Sequence, residues 1–191
     1  MSEPSTPSPT PAPPRSLARR VLDSWRGWNR HPWFRWSVDL ALIALLLGSV
    51  ASWQTRGVAS GAPVPEVPLT TLDGAQMSLS SLRGKPVVVE VWAPWCGVCK
   101  AQASSMRWLK SVVGDRAHVV SIALSYGNVA SVERFMEDHE VTFPVYLGHD
   151  DVGRALGVSA FPTILFLDAE GRIERASVGF TTVPGMLWRM R

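Results

Sequence analysis

Strand-like and helix-like segments alternate through residues 64–191 and include a strand–turn–strand, which predicts an α/β domain with helices layered on a mixed central sheet. Two further observations frame that class. Pro86–Trp92 is a continuous run rich in β-branched residues, as a strand covered on both faces requires. Ahead of the domain, the apolar stretch SVDLALIALLLGSVASW follows a cluster of arginines and predicts an N-terminal transmembrane helix over 37–53.

Taken in order, residues 1–14 (MSEPSTPSPTPAPP) hold almost nothing that can be buried and read as a disordered tail. Over 15–36, Leu17, Val21, Trp25 and Trp28 recur at three- and four-residue spacing among arginines, the pattern of a basic amphipathic helix at an anionic membrane surface. The uncharged core of the anchor, Leu40–Trp53, is 14 residues long. A full span needs about 20. Arg35 can pair with Asp39 on one helix face and snorkel to the interface, and Trp33, Phe34, Trp36 and Trp53 suit aromatic belts at the two ends. The arginines place the N-terminus in the cytoplasm and the domain outside it; cleavage after Ala51 is the alternative. Residues 54–63 are a linker of small residues and proline.

The domain proper begins with short extended runs on either side of Asp73-Gly74, a hairpin-turn dipeptide. After the strand at 86–92 comes a helix carrying Ala103, Met106, Leu109 or Lys110, and Val113 at helical spacing. A second strand follows at His118–Leu124. Asn128 is placed to cap a helix with Val129, Val132, Phe135 and Met136 on one face. An extended VTFPVYLG, a small helix DVGRALG, and two strands joined at Ala169-Glu170-Gly171 complete the pattern.

Charge excludes one class of partner. The net charge is +3, but residues 1–36 hold six arginines against Glu3 and Asp23. From Gly57 onward there are 12 basic and 13 acidic residues. The folded part is nearly neutral, so the basic balance belongs to the membrane-facing tail and no nucleic acid is implied.

The only two cysteines, Cys96 and Cys99, stand in VWAPWCGVCK, directly after the buried strand. Two cysteines cannot make a multiply stapled scaffold, and they supply half of a structural zinc site. His31, His118, His139 and His149 have no ligand spacing to them, so no metal or other cofactor is expected. Two thiolates can nevertheless hold soft Cu(I), and a Cu(I)-binding or copper-stress module is the alternative to redox exchange.

The exported part resembles membrane-anchored periplasmic thioredoxin-like proteins of the TlpA and cytochrome-maturation (DsbE) type, including those linked to copper sensitivity. The resemblance covers about residues 64–180. It rests on the block Trp92-Ala93-Pro94-Trp95-Cys96-Gly97-Val98-Cys99-Lys100, on Gly157-Val158-Ser159-Ala160-Phe161-Pro162-Thr163, and on Asp168, Gly171 and Gly179. It implies a thioredoxin fold and a thiol–disulfide oxidoreductase whose redox-active disulfide joins Cys96 and Cys99. Implied partners are exported protein thiols and disulfides and a membrane electron-shuttle thiol protein, with the chain single-pass in a bacterial inner membrane and its domain in the periplasm.

Position then assigns roles. Cys96 falls where a strand meets a helix, beside unpaired amide donors and the positive end of the dipole, which favour its thiolate. Cys99, one turn on, is more shielded. Cys96 is thus the attacking thiol and Cys99 the resolving one. A disulfide between these neighbours closes too small a loop to stabilise much, which favours redox chemistry. Glu90 interrupts a strand expected to be buried, where a charge costs roughly several kcal/mol, so its carboxyl should be neutral or partly so with a raised pKa; a place on a solvated strand edge is the alternative. The resemblance matches Glu90 to a buried acid that relays protons to the resolving cysteine. It also matches Pro162 to a cis proline facing the cysteines, with Phe161, Pro162 and Trp95 as substrate-binding residues; Trp92 could shield the pair or simply pack the core. The chain departs from the pattern at Phe161, usually smaller, at Ser104-Ser105, where many relatives have a kinking proline, and at Thr163, where a cytochrome-maturation signature has glutamate. Gly97-Val98 holds no basic residue to stabilise a thiolate further, so reduction of partners is expected over general oxidation.

Overall fold

The structure, a computed structural model, describes residues 32–55 and 61–190. The tail at 1–14, most of the basic segment at 15–36 and the middle of the linker lie outside the described residues, as do the side chains of Phe34, Arg35 and Trp53.

Helix α1, Pro32–Thr55, contains the whole segment expected to span the membrane. Proline opens it, where the missing N–H would be unpaired anyway. Leu40, Leu42, Ile43, Leu45, Leu46 and Leu47 are all exposed. Yet among the described residues no helix is long and apolar enough to cross a membrane.

The domain is built on one seven-stranded sheet in the order β2-β1-β5-β4-β3-β6-β7. Its strands are β1 (Leu69–Thr71), β2 (Gln76–Met77), β3 (Val87–Trp92), β4 (His118–Ala123), β5 (Val145–Leu147), β6 (Thr163–Leu167) and β7 (Ile173–Val178). β3, β4 and β5 run parallel, while β1, β2, β6 and β7 pair antiparallel, giving the mixed sheet expected. The helices are α2 (Gly97–Val113), α3 (Val129–Asp138), α4 (Asp150–Ala155) and α5 (Val183–Arg189). Asn128 caps α3 through its side chain, which accepts from the Ser131 amide at 2.9 Å.

All six residues of β3 are buried, because α2 covers one face of the sheet and α4, with Val64, Val67 and Leu79 from the chain before β3, covers the other. Val87, Val89 and Val91 pack with Leu69, Ile122, Leu156 and Leu165. On the opposite face, Val88 joins Met106, Leu109, Ile164 and Phe166, and Trp92 joins Cys99, Ala103, Val132 and Phe135. Glu90 lies between Val88 and Trp92 in the strand alternation, hence on the α2 face.

Two features differ from the sequence expectation. Gly61 and Val64 already hydrogen-bond to Ile173 and Gly171, so part of the segment taken as linker is a paired edge. Helix α5 was not expected, although Thr182 caps it and Pro184 stands in its first turn. Gln102 of α2 holds its entry: the buried amide accepts from the Thr181 N–H at 2.7 Å and donates to the Thr181 carbonyl at 3.1 Å.

Candidate active site

β3 ends at Trp92, a tight turn follows, and Cys96 becomes the N-cap of α2. The Cys96 N–H donates to the Ala93 carbonyl at 3.0 Å. Its Sγ accepts the Cys99 amide at 3.2 Å, one of the donors that a helix start leaves unpaired. Cys96 and Cys99 are joined as a disulfide with Cα atoms 5.2 Å apart. Cys96 is 6% exposed and Cys99 fully buried, so only the first cysteine keeps any contact with solvent. Both the amide contact and the difference in burial follow from the cysteines' positions on the helix, at its cap and one turn in.

The aromatic residues divide. Trp92 is core, stacked on Phe135 with ring centroids 4.1 Å apart. Trp95 is 67% exposed, and its indole N–H donates to the Ser125 carbonyl at 3.0 Å. The Phe161 ring meets Trp95 edge-on, centroids 5.8 Å apart, and packs against the cluster holding both cysteines. Trp95, exposed Val98 and half-buried Phe161 thus form an apolar rim beside the disulfide. A cleft of about 410 Å³ adjoins Trp95 and is lined by Lys100, Tyr126, Arg134, Asp138 and His139.

Pro162 is buried, and the Phe161–Pro162 peptide bond is cis. Gly179, at φ +81°, turns its N–H onto the Pro162 carbonyl at 2.8 Å, a conformation for which glycine has no Cβ penalty. The Thr163 hydroxyl donates to the Ala160 carbonyl at 2.8 Å. Among the described residues no backbone partner is taken by the N–H or C=O of Phe161, just ahead of β6.

Glu90 is 3% exposed, and burial pushes its carboxyl up to about 8 from an ordinary 4.5. It is therefore protonated at neutral pH. Its partners across the sheet are Ser121 on β4 and Ile164 on β6. The expected residues thus fall into two groups on one side of the sheet: Cys96, Trp95, Phe161 and Pro162 around the α2 N-terminus, and Glu90 beneath the same helix, on the face that packs Cys99, Ala103 and Met106.

Three residues near these elements were not singled out from the sequence. Ser125, at φ +48°, supplies the carbonyl that holds Trp95 and is itself held by Asp150 at 3.0 Å. Gln102 reads as an ordinary polar helix residue until its partner is known. Ser121 was legible only as a lone hydroxyl inside an apolar strand. Among the described residues no group of three or more His, Cys, Asp or Glu side chains could hold a metal ion.

Residues 59–186 match the family described as Redoxin. The thiol-disulfide oxidoreductase ResA of Geobacillus thermodenitrificans is 31% identical over 152 residues, covering 76% of this chain and 87% of its own. The thiol:disulfide interchange protein DsbE of Pseudomonas fluorescens is 31% identical over 170 residues, covering 81% of this chain and 90% of its own. Among solved structures, a putative thiol:disulfide interchange protein DsbE from Chlorobium tepidum superposes with a TM-score of 0.63 over 70% of this chain and 99% of that one, at 22% identity, which speaks to the fold alone.

Proposed function

Because the chain belongs to the redoxin family, we propose that it is a protein thiol–disulfide oxidoreductase that works through Cys96 and Cys99, reduces exported protein disulfides, and is carried on a membrane by its N-terminal helix. The observation that carries the reading is the cysteine pair at the start of α2, with the Cys96 sulfur accepting a helix-terminal amide and Cys99 buried behind it.

In the reduced form the Cys96 thiolate attacks one sulfur of a partner disulfide, forming a mixed disulfide and releasing the partner's first thiolate. Glu90 first releases its proton to water, and the Cys99 thiol then gives its own proton to the carboxylate so formed. The resulting thiolate attacks the Cys96 sulfur, the bond to the partner breaks, and the second partner thiolate leaves and takes a proton from water. Two electrons pass to the partner, and Cys96 and Cys99 end as a disulfide. A membrane thiol shuttle restores the dithiol. Glu90 suits the relay because a buried acid near 8 can both accept and return a proton close to neutral pH. Trp95, Phe161 and Pro162 bind the partner: the rim supplies apolar contact and the open Phe161 backbone supplies strand-like hydrogen bonds.

Membrane attachment is supported by the exposed leucines of α1, which lipid would cover, and by the arginine cluster before them. The 14-residue uncharged run requires Arg35 and Asp39 to sit at the interface. The same cluster orients the domain to the periplasmic side of a bacterial inner membrane.

The test is equilibration of metal-free protein with glutathione buffers. A reversible two-electron couple separates redox exchange from a Cu(I)-holding role, which needs none. A potential well below the about −120 mV of a strong oxidant supports reduction, and a value near it would sink that direction.

A further inference from the structure

Ser121 is fully buried in the middle of β4, and its hydroxyl is the one buried side-chain polar atom among the described residues with no hydrogen-bond partner. Such a group loses its water without a replacement partner, and alanine would fill the position without that cost. The register says what the hydroxyl is beside. Glu90 and Ser121 are directly paired on parallel strands. The pairs that flank them on the same face, Val88 with Val119 and Trp92 with Ala123, both pack into the core under α2, which fixes Glu90 and Ser121 to that face too. Adjacent strands lie about 4.8 Å apart, so rotation of the carboxyl and hydroxyl brings them within bonding distance.

The other elements packed there offer Glu90 no competing charge. β6 presents Ile164, α2 presents Ala103 and Met106, and α3 presents Val132 and Phe135. The amide of Gln102 is occupied by Thr181. The other titratable groups in these clusters are Cys96 and Cys99, only when reduced, and the Tyr126 phenol at their edge.

We propose that Ser121 is a positioning residue for the proton relay, its hydroxyl donating a hydrogen bond to the Glu90 carboxylate that exists while the acid is without its proton. This rests on the relay role of Glu90. In the oxidised protein at neutral pH the acid is protonated and makes little demand on a donor, which fits the unpaired hydroxyl. Before resolution the carboxylate must form so that it can take the Cys99 proton, and the Ser121 hydroxyl stabilises that form alone. Once the proton has moved, the hydroxyl is released and stands unpaired, as it does in the oxidised protein. No bond other than the hydrogen bond changes at Ser121, and no proton is lost from it.

The experiment follows resolution in the full chain loaded at Cys96 with thionitrobenzoate, whose release is coloured, across pH 5–10. Wild type, Ser121→Ala, Ser121→Thr, Glu90→Gln and the Ser121→Ala/Glu90→Gln double variant are compared. Loss of one charge-assisted hydrogen bond should move the midpoint of the pH profile upward by about one unit in Ser121→Ala, roughly a tenfold slowing near pH 7, with the high-pH plateau nearly kept. Threonine should restore the midpoint, and the alanine change should add nothing in the Glu90→Gln background. An infrared titration of the Glu90 carboxyl, which does not depend on turnover, should show the same upward move. If Glu90→Gln slows and flattens the profile while Ser121→Ala leaves the midpoint and the carboxyl titration in place, the role of Ser121 is overturned and that of Glu90 stands. A uniform slowing at every pH in Ser121→Ala would likewise overturn it as mere packing. If Glu90→Gln leaves the profile unchanged, the relay itself falls and takes the Ser121 proposal with it.

Discussion

Replacing Glu90 with glutamine should remove a pH dependence from the stability of the fold. In the folded domain burial raises the carboxyl to about 8, whereas the unfolded chain keeps its ordinary 4.5. Below 4.5 the group is protonated in both states and its contribution is fully present. Between 4.5 and about 8 the unfolded chain releases the proton while the fold retains it, so stability falls as pH rises. The slope is about 1.4 kcal/mol per pH unit. Across the window the loss reaches about 5 kcal/mol, comparable to the whole stability of a marginal domain, about 5–15 kcal/mol. Above about 8 both states are ionised and the loss stops growing. Other shifted groups do not mask the effect. Glu66, held low by the Ser78 and Ser80 hydroxyls, and Asp73, held low by the Thr71 hydroxyl, alter stability only at acid pH. Burial raises the Tyr146 phenol, which titrates above the window. The assay is urea unfolding of the oxidised protein from pH 5 to 9, followed by tryptophan fluorescence. The wild-type midpoint should decline to about pH 8 and then level, while Glu90→Gln should stay flat over the same range. Parallel curves would mean that Glu90 keeps ordinary acidity inside the fold, and the case for a buried proton relay would lose its basis.

Cys99→Ala should accumulate a mixed disulfide with partner protein through Cys96, and Cys96→Ala should accumulate none on non-reducing gels; conjugates in the second variant instead would reverse the two roles. Protease added to spheroplasts should digest the domain beyond residue 61, and full protection would overturn the periplasmic orientation. Gln102→Ala should cost about 2–3 kcal/mol, because it strands the buried N–H and C=O of Thr181 at the entry to α5. A thermal midpoint within a degree of wild type would show that water or a local shift replaces both bonds.

Much of the domain was legible in the chain because local rules carry it. The β-branched run of β3, the asparagine cap of α3 and the Asp73-Gly74 turn each encode their own geometry over a few residues. The cysteine pair was equally plain: its place between a buried strand and a helix sets one sulfur at a helix start and the other a turn deeper, whatever else the chain does. Even the unusual acidity of Glu90 could be expected, since a glutamate amid valines in a doubly covered strand has nowhere to meet water.

What surrounds those residues came only from tertiary structure, because it depends on which strands become neighbours. β4 lies beside β3 in parallel register through a crossover helix, and that pairing alone sets Ser121 against Glu90 across 31 residues of sequence. Gln102 and Thr181 meet across 79 residues. Phe161 reaches Trp95, and the strained Ser125 offers its carbonyl to the same indole, only once separate loops converge beyond the ends of the parallel strands. A short pattern can specify a helix, a turn or a buried strand. It cannot specify a partner for a lone hydroxyl or amide, because that partner is chosen by the packing of elements distant in sequence.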